Sequence, residues 1–202
     1  MPREDRRIHI LRSAAHIFLE RGFDATSMNE VAERAGVTKP GLYYHFDGKR
    51  ELLFAIMSYA MDVLERDTGA AVAAAATAEG RLRGILHAHA RLMAGELESP
   101  VSILVIDEIE ALEPRRREEI TARKRAYFDS IRGSLEELAA AGELRPVDPT
   151  TATFSLLGMV MWLVKWYEPG GRLGSEEVAA QVTELAMGAV LRPVADPVES
   201  LA

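Results

Sequence analysis

Residues 27–49 read SMNEVAERAGVTKPGLYYHFDGK, and this stretch spells two short helices joined by a tight glycine turn. Ser27 and Glu30 form a capping box: the hydroxyl takes a backbone N–H of the first turn while the carboxylate reaches back to the N-cap N–H. The helix they open stops before Gly36. Thr38 is the natural N-cap of the next helix, and Pro40 sits in its first turn, where no backbone N–H is needed. Leu42 and Phe46, four residues apart, share a face and turn inward against Val31, Ala35 and Val37. Lys39, Tyr43, Tyr44 and His45 are thereby sent outward. Lysine and phenolic groups donate to phosphate oxygens, and a short helix fits a major groove about 12 Å wide. Gly41, with no side chain, lets the helix N-terminus approach a base edge or a phosphate. The combination is the pattern of a helix-turn-helix directed at duplex DNA.

Working outward, every periodic segment repeats near 3.6 residues per turn, and none alternates between hairpin turns. The chain reads as all-α. A first helix over residues 5–21 places Ile8, Leu11, Ala15, Phe18 and Leu19 on one face and ends at Gly22. It completes a three-helix unit assigned to residues 1–48. A fourth helix opens near Asp47 or Gly48 and carries Leu52, Leu53, Ile56, Met57, Ala60, Met61 and Leu64 on a broad apolar face. The Ala-rich tract 70–78 reads as helix or frayed helix end. Further helices are expected at 78–95, 100–112, 114–141, 149–167 and 175–191, punctuated by proline and glycine. About nine helices result, and residues 49–202 form a larger helical ligand-binding and dimerisation domain. The tail from Pro193 is expected to be loosely ordered.

The 202 residues are 48% hydrophobic and 27% charged, a globular balance. With no cysteine, disulfides, thiolate metal sites and thiol nucleophiles are excluded. No signal-like apolar run and no membrane span is found, so a soluble cytoplasmic protein with no membrane partner is expected. The net charge of −7 divides unevenly. Residues 1–50 hold 9 Lys+Arg against 7 Asp+Glu, net +2, which leaves 15 against 24, net −9, for the rest. A mildly basic head on an acidic body suits contact with phosphate at one end only.

Residues 22–53, GFDATSMNEVAERAGVTKPGLYYHFDGKRELL, resemble the helix-turn-helix of the tetracycline-repressor (TetR) family of bacterial transcription regulators almost throughout. The resemblance implies that Ser27, Thr38, Lys39, Gly41, Tyr43, Tyr44, His45 and Lys49 fall on positions that contact the operator, chiefly its backbone. Pro40, where the family usually carries a small or polar residue, is counted with them. It also implies a homodimeric repressor that leaves a palindromic operator when a small molecule binds the C-terminal domain.

Residues 152–167, ATFSLLGMVMWLVKWY, are apolar nearly all round, which suits a helix buried against a partner or at the centre of a monomer. Residues 175–191 add Val178, Val182, Leu185, Met187 and Val190 at helical spacing. The expected homodimer forms through these last two helices and sets two reading helices about 34 Å apart on the DNA. Residues 162–177, WLVKWYEPGGRLGSEE, resemble the C-terminal part of TetR-type regulators that answer to fatty acids or acyl-coenzyme A thioesters. That implies a hydrophobic or acyl-CoA-like effector. The projected lining is Met93, Ile106, Glu110, Phe128, Met159, Trp162 and Trp166, with Ile85 and Ile131 in the same apolar wall. Trp162 and Trp166 are read either as core or interface packing or as a holder for an adenine ring or acyl chain beside Lys165.

His87 and His89, two apart on a helix, point in nearly opposite directions and do not share a metal. Asp107, Glu108 and Glu110 are read as solvated or paired with Arg115, Arg116 and Arg117, with Asp107 or Glu110 entering a pocket as the alternative. The basic runs 115–117 and 123–125 are a solvated face or partners for coenzyme A phosphates. No catalytic set, no metal and no cofactor is expected. The alternatives are a helical protein-protein adaptor and an acyl-thioester-processing enzyme.

Overall fold

The structure, a computed structural model, describes residues 3–95 and 108–193. Among them nine α-helices follow in order: α1 (Arg3–Arg21), α2 (Met28–Arg34), α3 (Lys39–His45), α4 (Lys49–Ala74), α5 (Ala78–Met93), α6 (Pro114–Ala140), α7 (Pro149–Met161), α8 (Leu163–Trp166) and α9 (Ser175–Val190). A single 3₁₀ turn, Ile109–Ala111, precedes α6.

The head is built as the caps dictate. Ser27 Oγ accepts from Glu30 N at 3.3 Å, and Glu30 Oε2 accepts from Ser27 N at 2.7 Å. That returning bond holds the Glu30 carboxyl below its usual pKa. At the other end of α2, Gly36 takes φ +59°. Its N–H donates to Glu33 O at 3.1 Å and the Val37 N–H to Ala32 O at 2.9 Å, the double closure of a Schellman motif that favours glycine. Thr38 Oγ1 caps α3 by accepting from Gly41 N at 3.2 Å. Leu42, Phe46, Val31 and Ala35 are buried as their spacing requires, and Val37 is half-buried.

The body is organised around α5, which packs against α4, α6, α7 and α9 and buries Leu82, Ile85, Leu86, Ala88, His89, Ala90 and Met93. α4, 26 residues long and so about 39 Å end to end, packs against α1 of the head as well as α5 and α6 of the body. One continuous hydrophobic core runs from Ile10 to Val190. An isolated antiparallel bridge between Leu144 and Leu191 ties the α6–α7 connection to the end of α9.

Three expectations are revised. The Ala-rich tract continues α4 only as far as Ala74, and Thr77 caps α5 by accepting from Gly80 N at 3.0 Å. The helix expected over 149–167 divides at Trp162: the Lys165 N–H bonds Trp162 O at 2.9 Å, a three-residue closure that tightens the ladder between α7 and α8. Of the helix expected over 100–112, residues 100–107 lie outside the described residues, and the remainder is the 3₁₀ turn. The tail beyond Pro193 also lies outside them.

Candidate nucleic-acid interface and ligand cavity

The two helix caps of the head also shape its outer surface. Ser27, Asn29, Lys39 and Tyr43 line one open concavity where the start of α2 meets the start of α3. Lys39, Thr38 and Ser27 are exposed; Tyr43 is 43% and Tyr44 68% exposed. Phenols this exposed present hydroxyl groups of the kind that donate to phosphate oxygens. Tyr44 and His45 meet edge to face with centroids 5.3 Å apart, so the half-buried His45 ring is oriented by its neighbour. Each cap hydroxyl spends a lone pair on a backbone N–H and keeps its own O–H to donate. A Cβ on Gly41 would stand 3.0 Å from Thr38 Oγ1, so glycine here protects the cap as well as opening the helix terminus. Pro40 is exposed beside it and contributes no donor. Asn29, an exposed amide at the first turn of α2, is not among the residues that the sequence singles out. Its position beside the Ser27 cap is the signal that could have found it.

Lys49 differs from its expected role. Its Nζ donates to the carbonyls of Phe23 (2.8 Å), Asp24 (3.2 Å) and Thr26 (2.9 Å) and sits 4.3 Å above the Phe23 ring. An ammonium has three donors, and all three are spent closing the α1–α2 loop onto the start of α4. In this conformation none is left for a phosphate. The same loop is reached from the body, where Phe23 N donates to Glu108 Oε1 at 3.4 Å.

In the body, a cavity of about 220 Å³ is lined by Met61 and Leu64 of α4, His89 of α5, Lys124, Tyr127 and Phe128 of α6, and Leu157 and Met161 of α7. Of the projected lining residues that the structure describes, Phe128 belongs to it and the others do not. Met93 is buried elsewhere on α5, Ile85 and Ile131 are core, and Ile106 lies outside the described residues. Met159 (37% exposed), Trp162 (62%) and Trp166 (52%) face outward. The reason is helical phase: Leu157 and Met161 are four apart and turn to the cavity, which rotates Met159 and Trp162 away. Glu110 is exposed and paired with Arg117. Arg123 does not wait for coenzyme A phosphates; it binds Glu65 and Asp62 of α4 at 2.7–2.8 Å, and these hydrogen bonds, that to Glu65 foremost, push its pKa up.

His87 pairs with Glu176 at 3.2 Å, while His89 points inward, 3% exposed. Its Nδ1 lies 2.8 Å from the Tyr127 hydroxyl. Burial lowers the imidazole pKa to about 4 and pushes that of the Tyr127 phenol up. Among the described residues no group of three His, Asp or Glu side chains is placed to hold a metal, and no helix is long and apolar enough to cross a membrane.

Further large apolar side chains are solvent-exposed in the protomer: Phe154 and Met159 of α7, Trp162 at its C-cap, Trp166 of α8 and Leu185 of α9. Val178, Met187 and Val190, expected on the same face as Leu185, are instead buried inside the protomer, and Val182 is half-buried.

An exposed reading helix on a capped three-helix head, joined by one long helix to a body with an apolar cavity, defines a helix-turn-helix DNA-binding regulator. Residues 10–56 match the family described as bacterial regulatory proteins, tetR family, and residues 75–190 match the tetracyclin repressor-like C-terminal domain. The chain belongs to the TetR family of transcriptional regulators, which places it among DNA-binding regulators rather than enzymes. It is 27% identical over 207 residues to the transcriptional repressor KstR2 of Mycolicibacterium smegmatis, covering 95% of this chain and 93% of that one. Among solved structures it resembles AibR in complex with isovaleryl coenzyme A and operator DNA, at 37% identity and a TM-score of 0.79, covering 94% and 100% of the two chains. The ketosteroid regulator KstR2 of Mycobacterium tuberculosis superimposes with a TM-score of 0.82 at 26% identity, covering 93% and 96%.

Proposed function

We propose that this chain is a cytoplasmic homodimeric repressor that grips a palindromic operator through two copies of its head and lets go when an acyl-thioester-like, hydrophobic effector enters the body. In this reading residues 1–48 read DNA, and residues 49–202 bind the effector and dimerise through α7 and α9. Ser27, Thr38, Lys39, Gly41, Tyr43, Tyr44 and His45 meet the operator, with Pro40 shaping the turn among them.

The observation that carries the proposal is the double attachment of α4. Its first residue, Lys49, holds the α1–α2 loop, and further along Met61 and Leu64 wall the apolar cavity. A ligand that pushes on Met61 and Leu64 therefore acts on the helix that fixes the head. The effector must bind the released conformation better than the DNA-bound one, and a coupling of about 1–3 kcal/mol corresponds to a 5–150-fold loss of operator affinity. The operator resemblance and the acyl-coenzyme A in the AibR complex support the same assignment.

The test is a titration of acyl-coenzyme A thioesters against the protein bound to a labelled duplex selected from a random pool. Release of the duplex at saturating thioester, and no release by coenzyme A alone, is expected. Operator affinity unchanged by every thioester that binds would overturn the mechanism.

A further inference from the structure

The cavity contains a polar pair that neither the reading head nor the core requires. His89 and Tyr127 both line it, stand on different helices, and are joined by the 2.8 Å contact between Nδ1 and the phenol oxygen. Their rings meet edge to face at 5.5 Å and 78°. Two proton arrangements satisfy that contact. If the phenol donates to Nδ1, the imidazole carries its proton on Nε2 and one donor is left over. If Nδ1 donates to the phenol oxygen, both the phenol hydrogen and the Nε2 lone pair are left over. The first leaves fewer buried polar groups unmet. Nε2 is buried and no group among the described residues hydrogen-bonds to it, in a residue only 3% exposed. A buried donor of this kind costs stability unless something accepts from it.

The size and lining of the cavity indicate what part of that something it surrounds. A cavity of about 150 Å³ holds benzene, roughly 25 Å³ per heavy atom, so one of about 220 Å³ surrounds about nine atoms of an occupant. Apart from His89, Tyr127 and Lys124 the lining is wholly apolar.

We propose that His89 is the polar anchor of a site for a short acyl thioester. Its Nε2–H donates to the thioester carbonyl oxygen, while a hydrocarbon of about four to eight carbons fills the space among Met61, Leu64, Phe128, Leu157 and Met161. Tyr127 is the positioning residue, since its hydroxyl selects the tautomer that donates. The inference rests on the reading of the chain as an acyl-thioester-responsive regulator and adds the length class and the recognising atom.

The experiment is calorimetric titration of the intact protein with isovaleryl-coenzyme A, its thioether analogue with CH₂ in place of the carbonyl, and palmitoyl-coenzyme A. The wild-type chain is expected to bind the thioester about tenfold more tightly than the thioether, equivalent to about 1.4 kcal/mol, and to bind the palmitoyl compound more weakly than either. In His89→Leu the thioester-to-thioether ratio should fall to near one. Equal binding of thioester and thioether by the wild type, as when Nε2 serves only a buried water, overturns the anchor without needing a variant. Tighter binding of the palmitoyl compound overturns the length class. Both results leave the regulator reading intact, whereas failure of every thioester to bind removes that reading and the proposal together.

Discussion

Lys49 Nζ stands 2.8 Å from the Phe23 carbonyl oxygen and 4.3 Å above the Phe23 ring, so one ammonium both caps the loop after α1 and packs on its aromatic side chain. Phe23 in turn meets Phe18 edge to face at 5.3 Å. The first residue of α4 is thus tied to the loop after α1 and, through the Phe18–Phe23 contact, to α1 itself.

That tie separates two lysines that look alike in sequence. Lys49→Met is expected to loosen the head and weaken operator binding with little change in its salt dependence, because the lost contacts are internal. Lys39→Ala removes an exposed cation, and the slope of log affinity against log salt should fall by about 1. Affinity for one duplex measured across a salt series distinguishes them. An undiminished slope in Lys39→Ala would remove Lys39 from the phosphate contacts.

The Thr38 cap offers a cleaner separation of folding from recognition. Thr38→Ala deletes the oxygen that accepts from Gly41 N at 3.2 Å and is expected to lower stability by about 1 kcal/mol. Thr38→Ser keeps the acceptor and should restore most of it. Denaturant melts of both variants, set beside duplex binding, test whether the hydroxyl also serves DNA. If it does, the serine variant binds like the parent and the alanine variant loses more affinity than its stability deficit accounts for.

The head is legible residue by residue because its signals are local: the capping box, the glycine at φ +59° and the Leu42–Phe46 spacing each lie within a few positions. The cavity is not. Residues 152–161 are apolar on nearly every side, so sequence offers no way to see that Leu157 and Met161 face the cavity while Met159 and Trp162 face out. The His89–Tyr127 contact spans 38 positions, beyond any local pattern. Lys49 escapes a sequence reading for a related reason, since a lysine on a DNA-binding head suits a phosphate and a carbonyl cluster equally well until the loop geometry is known.

His89 also sets a pH dependence. Burial lowers its pKa from the ordinary 6.5 to about 4, so between those values the unfolded chain binds a proton that the folded chain refuses. Stability conferred by the neutral ring is complete above pH 6.5 and is lost on acidification toward pH 4, with a slope approaching 1.4 kcal/mol, roughly, per pH unit. Denaturant melts of wild type and His89→Gln between these limits isolate the effect, because the other titrating groups are common to both. The expected result is a stability difference that shifts in favour of the variant as pH falls. A pH-independent difference would mean that the ring takes up its proton in the folded state.

The exposed apolar face gives the last prediction. Phe154 (66% exposed) and Leu185 (67%) lie on α7 and α9, which pack on each other, and Trp162 (62%) closes the α7 end. Large aromatic and aliphatic side chains left in solvent together on adjoining helices mark a surface that a second copy covers, and aromatic anchors of this kind dominate interface energies. The face also touches the cavity wall, since the Phe154 ring lies 4.7 Å from that of Phe128. Leu185→Arg sets a cation where an apolar partner surface is required. Around a two-fold axis the defect is repeated in both copies. Light scattering is expected to show the mass falling from twice 22.2 kDa to 22.2 kDa. Because two linked heads gain about 10²–10⁴ in avidity over one, operator affinity should fall by a comparable factor while the helical circular dichroism is retained. A variant that stays dimeric with full operator affinity would move the interface off α9.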